Sequence, residues 1–593
     1  MFSKTYLFGT GAAVDKAALY TSGQGFGFVT EKNRRAQELL RYPELNSGFE
    51  PYYWYAGEEI TALQSDGNGV FVDSDGIVAA LEEKNGEKTP GEHRYIPLCF
   101  KADVPCQGNY RVTLTIQPGA GEEMGEVLVF TGRRRLAFKG SIPAGQRWQK
   151  IFIVNVCDIV PRGQTVVYPD TTLDLTVVAA KPRITEVKME ACACPTLYIA
   201  GDSTVTDQSG EYPYAPGTCY CGWGQMLGAY LDETIALSNH AHSGLTTESF
   251  REEGHYAVIE KYIRPGDYCL FQFGHNDQKH PHLQANNGYP ENLRRYVAEI
   301  RAKGAQPVLV TPIARNTWRG SDGLYNDLLR EHAEACLAVG RELNVPVLDL
   351  HAASMAFIKR IGCEAAKRYY FPGDYTHSDD YGAYLMAGFV ADEIRRVCHG
   401  CPAYQGLADC VRPGFGTWEA AESIVPPAKP KRFEKLENPS PTTAVLAEVD
   451  RLDEPADRAA MLDMLIKTAR FVPVNVYNDE YSDVAGHEWY AGAVEAAYQN
   501  GIVQPELLDG GRLHPQKPAT LEEFVVTAMR AYNTRKPLPQ ERPCPYDDRC
   551  HPYARPFVRA ACGIALIAPD GGADLQAGLT RGQAVALCRK LEL

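Results

Sequence analysis

Long apolar runs are missing from this chain. No stretch approaches the roughly 20 residues that a membrane-spanning helix needs, so no membrane partner is expected. The opening nine residues, Met1 to Gly9, lack an apolar core of signal-peptide length and lead directly into what reads as folded sequence. The expectation is a cytoplasmic protein; the alternative is secretion or cell-surface display, if a leader has been removed. Positive charge is in deficit, with 60 Lys and Arg against 74 Asp and Glu, and a net charge of −14 argues against nucleic acid as a partner. Contact with an anionic saccharide would need local basic and aromatic residues. An even cysteine count is lacking too: with 17, at least one thiol stays outside any intramolecular disulfide. Cys192 and Cys194, Cys219 and Cys221, and Cys398 and Cys401 form close pairs, but no two pairs have zinc-ribbon spacing. Buried reduced thiols are expected, and no metal or other cofactor.

What is present is globular: 45% hydrophobic and 23% charged residues. At 593 residues the chain exceeds the about 250–300 residues at which single cores stop growing, so several domains are expected. Four short segments carry the chemistry: Gly201-Asp202-Ser203-Thr204, Asn239 through Gly244, Gly274-His275-Asn276-Asp277, and Asp374-Tyr375-Thr376-His377. The first follows a strand-like run from Thr196 to Ala200, and the third follows another from Tyr268 to Phe273. In an open parallel sheet the carboxyl ends of such strands line one crevice, where ligands bind. A serine hydroxyl needs a base to take its proton, and the base needs a third group to fix its tautomer. His377 can be that base and Asp374 its orienter. The oxyanion formed on attack needs donors already aimed at it, and the Ser203 and Gly244 backbone N–H groups and the Asn276 amide are the candidates. His275 is a rival base, read instead as ordering the loop that holds Asn276, and Asp202 is its companion in support.

Gly-Asp-Ser after the first strand, Asn-x-Ala-x-x-Gly, Gly-His-Asn-Asp and Asp-x-x-His resemble the four blocks of the SGNH, or GDSL-type, hydrolases. More narrowly, Gly201 to Val205, Asn239 to Gly244 with Ser249-Phe250, and Phe273 to Asp277 resemble rhamnogalacturonan acetylesterases. The resemblance covers roughly residues 195 to 400. It implies a nucleophile at Ser203, triad partners at Asp374 and His377, and oxyanion donors at Ser203, Gly244 and Asn276. One departure bears on substrate: those esterases usually read Gly-Arg-Ser where this chain reads Gly244-Leu245-Thr246-Thr247. The implied function is removal of O-acetyl groups from pectic, rhamnogalacturonan-type saccharides through an acyl-enzyme. Two alternatives stand beside it, an esterase for another acetylated glycan or a lipid ester, and a non-catalytic glycan-binding protein.

The expected fold is multidomain. Residues 1–190 alternate polar and apolar, as in Tyr110 to Ile116, Trp148 to Val156 and Leu173 to Val178, which predicts an antiparallel β-sandwich. Phe8 to Ala12 and Gly25-Phe26-Gly27-Phe28 resemble the galactose-binding-like module that precedes some pectin acetylesterases. Residues 191–425 alternate strands with helical segments, at Asn292 to Lys303, Tyr325 to Leu343 and Tyr381 to Val397, which predicts a three-layer α/β/α domain with a mostly parallel sheet. A proline-rich linker occupies 426–441. Residues 442–593 hold an internal repeat of about sixty residues, read as an all-α domain. The repeats resemble S-layer homology units, which implies cell-wall polysaccharide as a partner. The helix-start motif Thr-Arg-Ala-Glu is altered in each copy, to Asp457-Arg458-Ala459-Ala460, Thr520-Leu521-Glu522-Glu523 and Thr580-Arg581-Gly582-Gln583. The middle copy has no arginine to fork onto an anionic sugar. Wall binding is therefore disfavoured here against a structural bundle or a homo-oligomer contact.

Overall fold

The computed structural model of the chain describes residues 2–9, 19–29, 63–72, 95–132, 134–160, 166–208, 216–217, 219–318, 324–372, 374–412, 418, 446, 449–471, 473, 481–503, 505–540 and 542–591, with the backbone of 81–84 and 87–90. The expected linker at 426–441 and most of the Phe8 to Ala12 motif lie outside the described residues. Two compact units divide the chain: 1–277, 285–316 and 329–426 form one, and 278–284, 317–328 and 427–593 the other. Among the described residues, no helix is long and apolar enough to cross a membrane.

The first unit opens with antiparallel sheets. One orders the strands Ser3–Leu7, Glu186–Cys192, Gly108–Ile116 and Trp148–Val156; another orders Arg135–Ile142, Met124–Thr131, Thr172–Ala179, Ile96–Asp103 and Phe26–Val29. Period-2 alternation does what it should in Gly108–Ile116, where Tyr110, Val112 and Leu114 turn inward and Arg111 and Thr113 are half-exposed. Inward residues of both sheets, Val112 and Leu114 with Val127 and Leu175, share one apolar core.

A parallel sheet follows in the order Ala236–Asn239, Thr196–Gly201, Tyr268–Gln272, Gln306–Val310 and Val347–Leu348. Every residue of Thr196–Gly201 is buried, as expected of a strand covered on both faces. Helix Gly288–Ala302 lays Tyr289, Leu293, Tyr296, Val297 and Ile300 against Tyr198, Ala200, Phe271 and Leu309 on one face. The helical segment expected from Tyr325 begins later, at Arg330, because Tyr325 pairs with Trp318 in a β-bridge. Helix Asp380–Cys398 starts three residues after His377, with the Asp379 carboxylate accepting the Gly382 N–H at its amino end.

In the second unit the described helices are Arg458–Thr468, Ala491–Gln499, Leu521–Asn533, Arg555–Gly563 and Arg581–Lys590. Asp457, Thr520 and Thr580 each cap a helix, the last two in capping boxes with Glu523 and Gln583. β-Bridges Pro455 to Thr580, Asp457 to Pro518 and Thr520 to Gly578 tie these three helix starts together.

Candidate active site

Ser203 stands just past the strand Thr196–Gly201, where the chain leaves the sheet in a tight turn. Asp202 builds that turn: its Oδ1 accepts from the Thr204 N–H at 2.9 Å and the Thr204 hydroxyl at 2.7 Å. The turn aims the Ser203 hydroxyl at His377, with Oγ 2.8 Å from Nε2. On the other side of the ring, Nδ1 lies 2.8 Å from Asp374 Oδ2. A carboxylate can only accept, so Nδ1 carries the hydrogen and Nε2 is left as the acceptor for the serine proton. Asp374 Oδ1 meanwhile accepts the Thr376 and His377 backbone N–H groups at 2.7 and 3.0 Å. Burial alone would raise this carboxyl, but the hydrogen bond and charge of His377, with those two amides, hold it below the usual carboxylate range.

His275 occupies a separate place. Its Nδ1 is 3.2 Å from Asp202 Oδ2 and its Nε2 3.1 Å from the Ile313 carbonyl. The ring thus lies between the Ser203 turn and the Ile313 backbone, and as a neutral imidazole it donates to one of these two acceptors. Burial keeps His275 below the ordinary histidine range, against the opposing Asp202 charge. Asp202, raised by burial but lowered further by His275 and Thr204, stays below its usual range.

Gly244 sits exposed in a turn at φ +87, a backbone conformation suited to glycine. The Asn276 amide, just past strand Tyr268–Gln272, donates to the Leu245 carbonyl at 3.0 Å, which ties that side chain to the Gly244 loop. Beside it Asp277 accepts the Thr247 N–H at 2.9 Å and hydroxyl at 2.6 Å, and burial pushes its carboxyl up to about 7. So Thr247, in the stretch where the arginine is missing, braces the loop of Asn276. Asn239 donates to Val205 O and Asp207, both at 2.8 Å, linking the second segment to the first.

Several residues at the site carry no motif. Gln272 Nε2 donates to Thr204 Oγ1 at 2.8 Å and its Oε1 accepts from Trp223 Nε1 at 2.7 Å, stiffening the nucleophile turn from beneath. Tyr220 stacks on Phe371 with ring centres 3.7 Å apart and meets His377 edge-on at 5.7 Å. Tyr220 is 40% exposed, so an aromatic wall stands at the surface beside His377. Aromatic residues 3 to 6 positions from Asp-x-x-His were the available signal for Phe371; Tyr220 lies too far away in sequence to give one. Among the described residues no group of three or more His, Cys, Asp or Glu could hold a metal ion.

A hydroxyl, an imidazole and a carboxylate in hydrogen-bonded series, at the carboxyl edge of a parallel sheet and next to a glycine turn and an amide, form a serine-hydrolase type of site. The GDSL-like Lipase/Acylhydrolase family model matches residues 199–382, and the S-layer homology domain model matches 480–525. Rhamnogalacturonan acetylesterase RhgT of Bacillus subtilis (strain 168) is 36% identical over 215 residues, 34% of this chain and 90% of its own length. The uncharacterized esterase YxiM of the same organism is 35% identical over 202 residues, 34% of this chain and 52% of its own. The chain belongs to the GDSL-like lipase/acylhydrolase family.

The comparisons overturn the expected cytoplasmic location. A 75-residue stretch, 13% of this chain, is 41% identical to 6% of Exoglucanase XynX of Acetivibrio thermocellus. With the S-layer homology match, this indicates a secreted or surface-anchored protein.

Proposed function

We propose that this protein is a carbohydrate esterase that removes O-acetyl groups from pectic, rhamnogalacturonan-type saccharides. The reading rests above all on the Ser203–His377–Asp374 series, with both contacts at 2.8 Å. In this mechanism His377 Nε2 takes the Ser203 proton as Oγ attacks the acetyl carbonyl. The oxyanion is received by the Ser203 and Gly244 N–H groups and the Asn276 amide. His377 then returns the proton to the departing sugar hydroxyl, which leaves an acetyl-serine. Water, deprotonated by the same nitrogen, releases acetate and restores the serine. Asp374, held as a carboxylate, stabilises the imidazolium in both halves. The name of the relative RhgT supports the acetylated pectic substrate, and the Tyr220–Phe371 wall offers an apolar face for a sugar ring.

The proposal extends to the flanking regions. Residues 1–190 would be a galactose-binding-like module, 191–425 the catalytic domain, 426–441 a linker, and 442–593 an α-helical repeat domain that holds the enzyme at the cell wall. The S-layer homology match supports the last role. Arg458 is already paired with Glu523 at 2.7 Å and Arg581 with Asp450 at 3.2 Å, so other side chains would have to meet the wall polymer.

The test is acetate release from a panel of acetylated oligosaccharides, with aryl acetates of increasing chain length in parallel. Acetylated rhamnogalacturonan fragments should turn over fastest, and Ser203→Ala should reduce turnover to below about one part in a hundred, because triad members act as a unit. Preference for long-chain aryl esters over every saccharide would defeat the substrate assignment. Undiminished turnover in Ser203→Ala would defeat the mechanism.

A further inference from the structure

The sequence carries consecutive arginines at positions 133–135, and Arg134 lies in the turn between strands Met124–Thr131 and Arg135–Ile142 of the β-sandwich. Arg134 is one of the largest fully buried side chains of the protein. It also holds φ +85, a conformation few residues other than glycine adopt, and such strain persists only where the surroundings impose it. Its Nη1 lies 3.2 Å from Asp380 Oδ1, with both side chains fully shielded from solvent. Its Nη2 donates to the Tyr220 carbonyl at 2.9 Å.

Those two partners flank the catalytic base. Asp380 is three residues past His377, in the first turn of helix Asp380–Cys398. Tyr220 places its ring edge-on to His377 and flat against Phe371. Between them the two strands of chain are clamped together: the Cys221 N–H donates to Ser378 O at 3.0 Å, and the Ser378 hydroxyl donates to Cys221 O at 2.7 Å. The Phe371 N–H donates to the His377 carbonyl at 2.9 Å, which closes the loop bearing Asp374 and His377. One guanidinium thus grips both sides of the clamp from which the base projects. Its neighbour Arg135 reaches the same domain, donating to Leu237 O at 2.5 Å and lying 3.5 Å from Asp207.

We propose that Arg134 is a positioning residue for the esterase reaction: the β-sandwich supplies the fork that fixes the Asp374–His377 loop against Ser203, so the sandwich is part of the catalytic machinery's support. The inference rests on the triad reading above. A guanidinium suits this task because its charge lies against Asp380 while one of its N–H groups donates to the Tyr220 carbonyl, an arrangement that a lysine ammonium on a flexible stem does not reproduce.

The experiment uses the full chain, with hydrolysis of an aryl acetate and thermal unfolding measured side by side. Arg134→Ala should lower kcat about tenfold or more, on the scale of a misplaced catalytic group, and change KM by less than about threefold. Tens of millimolar guanidinium should recover a substantial part of kcat, while equal sodium chloride should not. A folded Arg134→Ala chain whose lowered kcat does not respond to guanidinium overturns the proposal. So does a folded Arg134→Ala chain with kcat within about twofold of the parent. If Arg134→Ala does not fold, Arg134→Lys decides, since it keeps the charge at Asp380 without the fork. Lowered kcat at an unchanged melting temperature supports the role, and full kcat overturns it. Ser203→Ala run alongside separates the two readings: an inactive Ser203→Ala with a fully active Arg134→Ala removes only the positioning role, whereas an active Ser203→Ala removes the triad.

Discussion

One methyl group at Gly244 tests the oxyanion assignment without filling the site. A Cβ built there meets nothing within 4 Å, so Gly244→Ala brings no clash. What it brings is a backbone penalty: at φ +87 an L residue loses about 1–2 kcal/mol relative to a right-handed conformation. The open surroundings let the turn relieve that penalty by rotating, and rotation swings the Gly244 N–H away from the oxyanion position. Losing one preorganised donor costs up to about 10²–10³ in rate, so a fall in kcat of about tenfold or more is expected even with partial rotation. Gly266 supplies the control. It holds φ +92, its added Cβ also meets nothing within 4 Å, and it lies in the turn before strand Tyr268–Gln272, at the amino end of the sheet. Gly266→Ala should lower the melting temperature by a few degrees, at about 2–4 °C per kcal/mol for a domain of this size, and leave kcat alone. The assay is initial-rate kinetics on an aryl acetate together with thermal melts of both variants. If the two variants lose the same stability and both retain kcat, Gly244 is not an oxyanion donor.

The two histidines should separate in the same assay: His377→Ala is expected to lose at least about 10³ in rate and His275→Ala much less, since the latter acts through the Asp202 turn. A larger loss at His275 would exchange their roles. Asp277 gives a pH signature in stability. Its folded carboxyl is raised to about 7, above the about 3.9 of an unfolded aspartate, so the folded chain binds the extra proton. Its contribution is fully present below the unfolded value and is lost as pH rises toward 7; the melting temperature of the parent relative to Asp277→Asn should therefore fall across that window, and a pH-independent difference would refute it. Co-sedimentation of the full chain with purified bacterial wall polysaccharide tests the repeat domain: binding is expected and Arg581→Ala should leave it unchanged, because Arg581 is engaged with Asp450. Loss of binding in that variant would make the arginine a wall contact after all.

The parallel sheet was legible because Thr196 to Ala200 and Tyr268 to Phe273 are short apolar runs ending in loops, and both form strands. Ser203, His377 and Asp374, which the structure brings into hydrogen-bonded series, each sit in a short segment whose spacing is fixed by one turn of chain. Asp374 and His377 are a local pair: the carboxylate also accepts the His377 backbone N–H, so three positions of sequence suffice to define the contact. Helix Arg330–Leu343 begins later than the apolar periodicity, which continues back through Tyr325, because pairing of Tyr325 with Trp318 decides the boundary. Tyr220 and Arg134 had no local signal at all. Their partners are more than eighty positions away, and a charge run in a hairpin turn is ordinarily a solvated one.

That difference has a physical basis. Chemistry that needs fixed distances between a few atoms is carried by turns and caps, where short-range hydrogen bonds set the geometry and leave a spacing in the sequence. Precision of those atoms depends on what the turns are packed against, and that support is chosen by shape and charge from anywhere in the chain. The Asp202 turn leans on Gln272 and Trp223, and the His377 loop on Cys221, Tyr220 and Arg134. The C-terminal repeats show the converse. Their helix starts keep the capping that makes the motif recognisable, while Arg458 donates to Leu507 O and Leu513 O and pairs with Glu523 inside the unit. A preserved cap therefore reports how the helix begins, while its arginine is spent on contacts inside the unit.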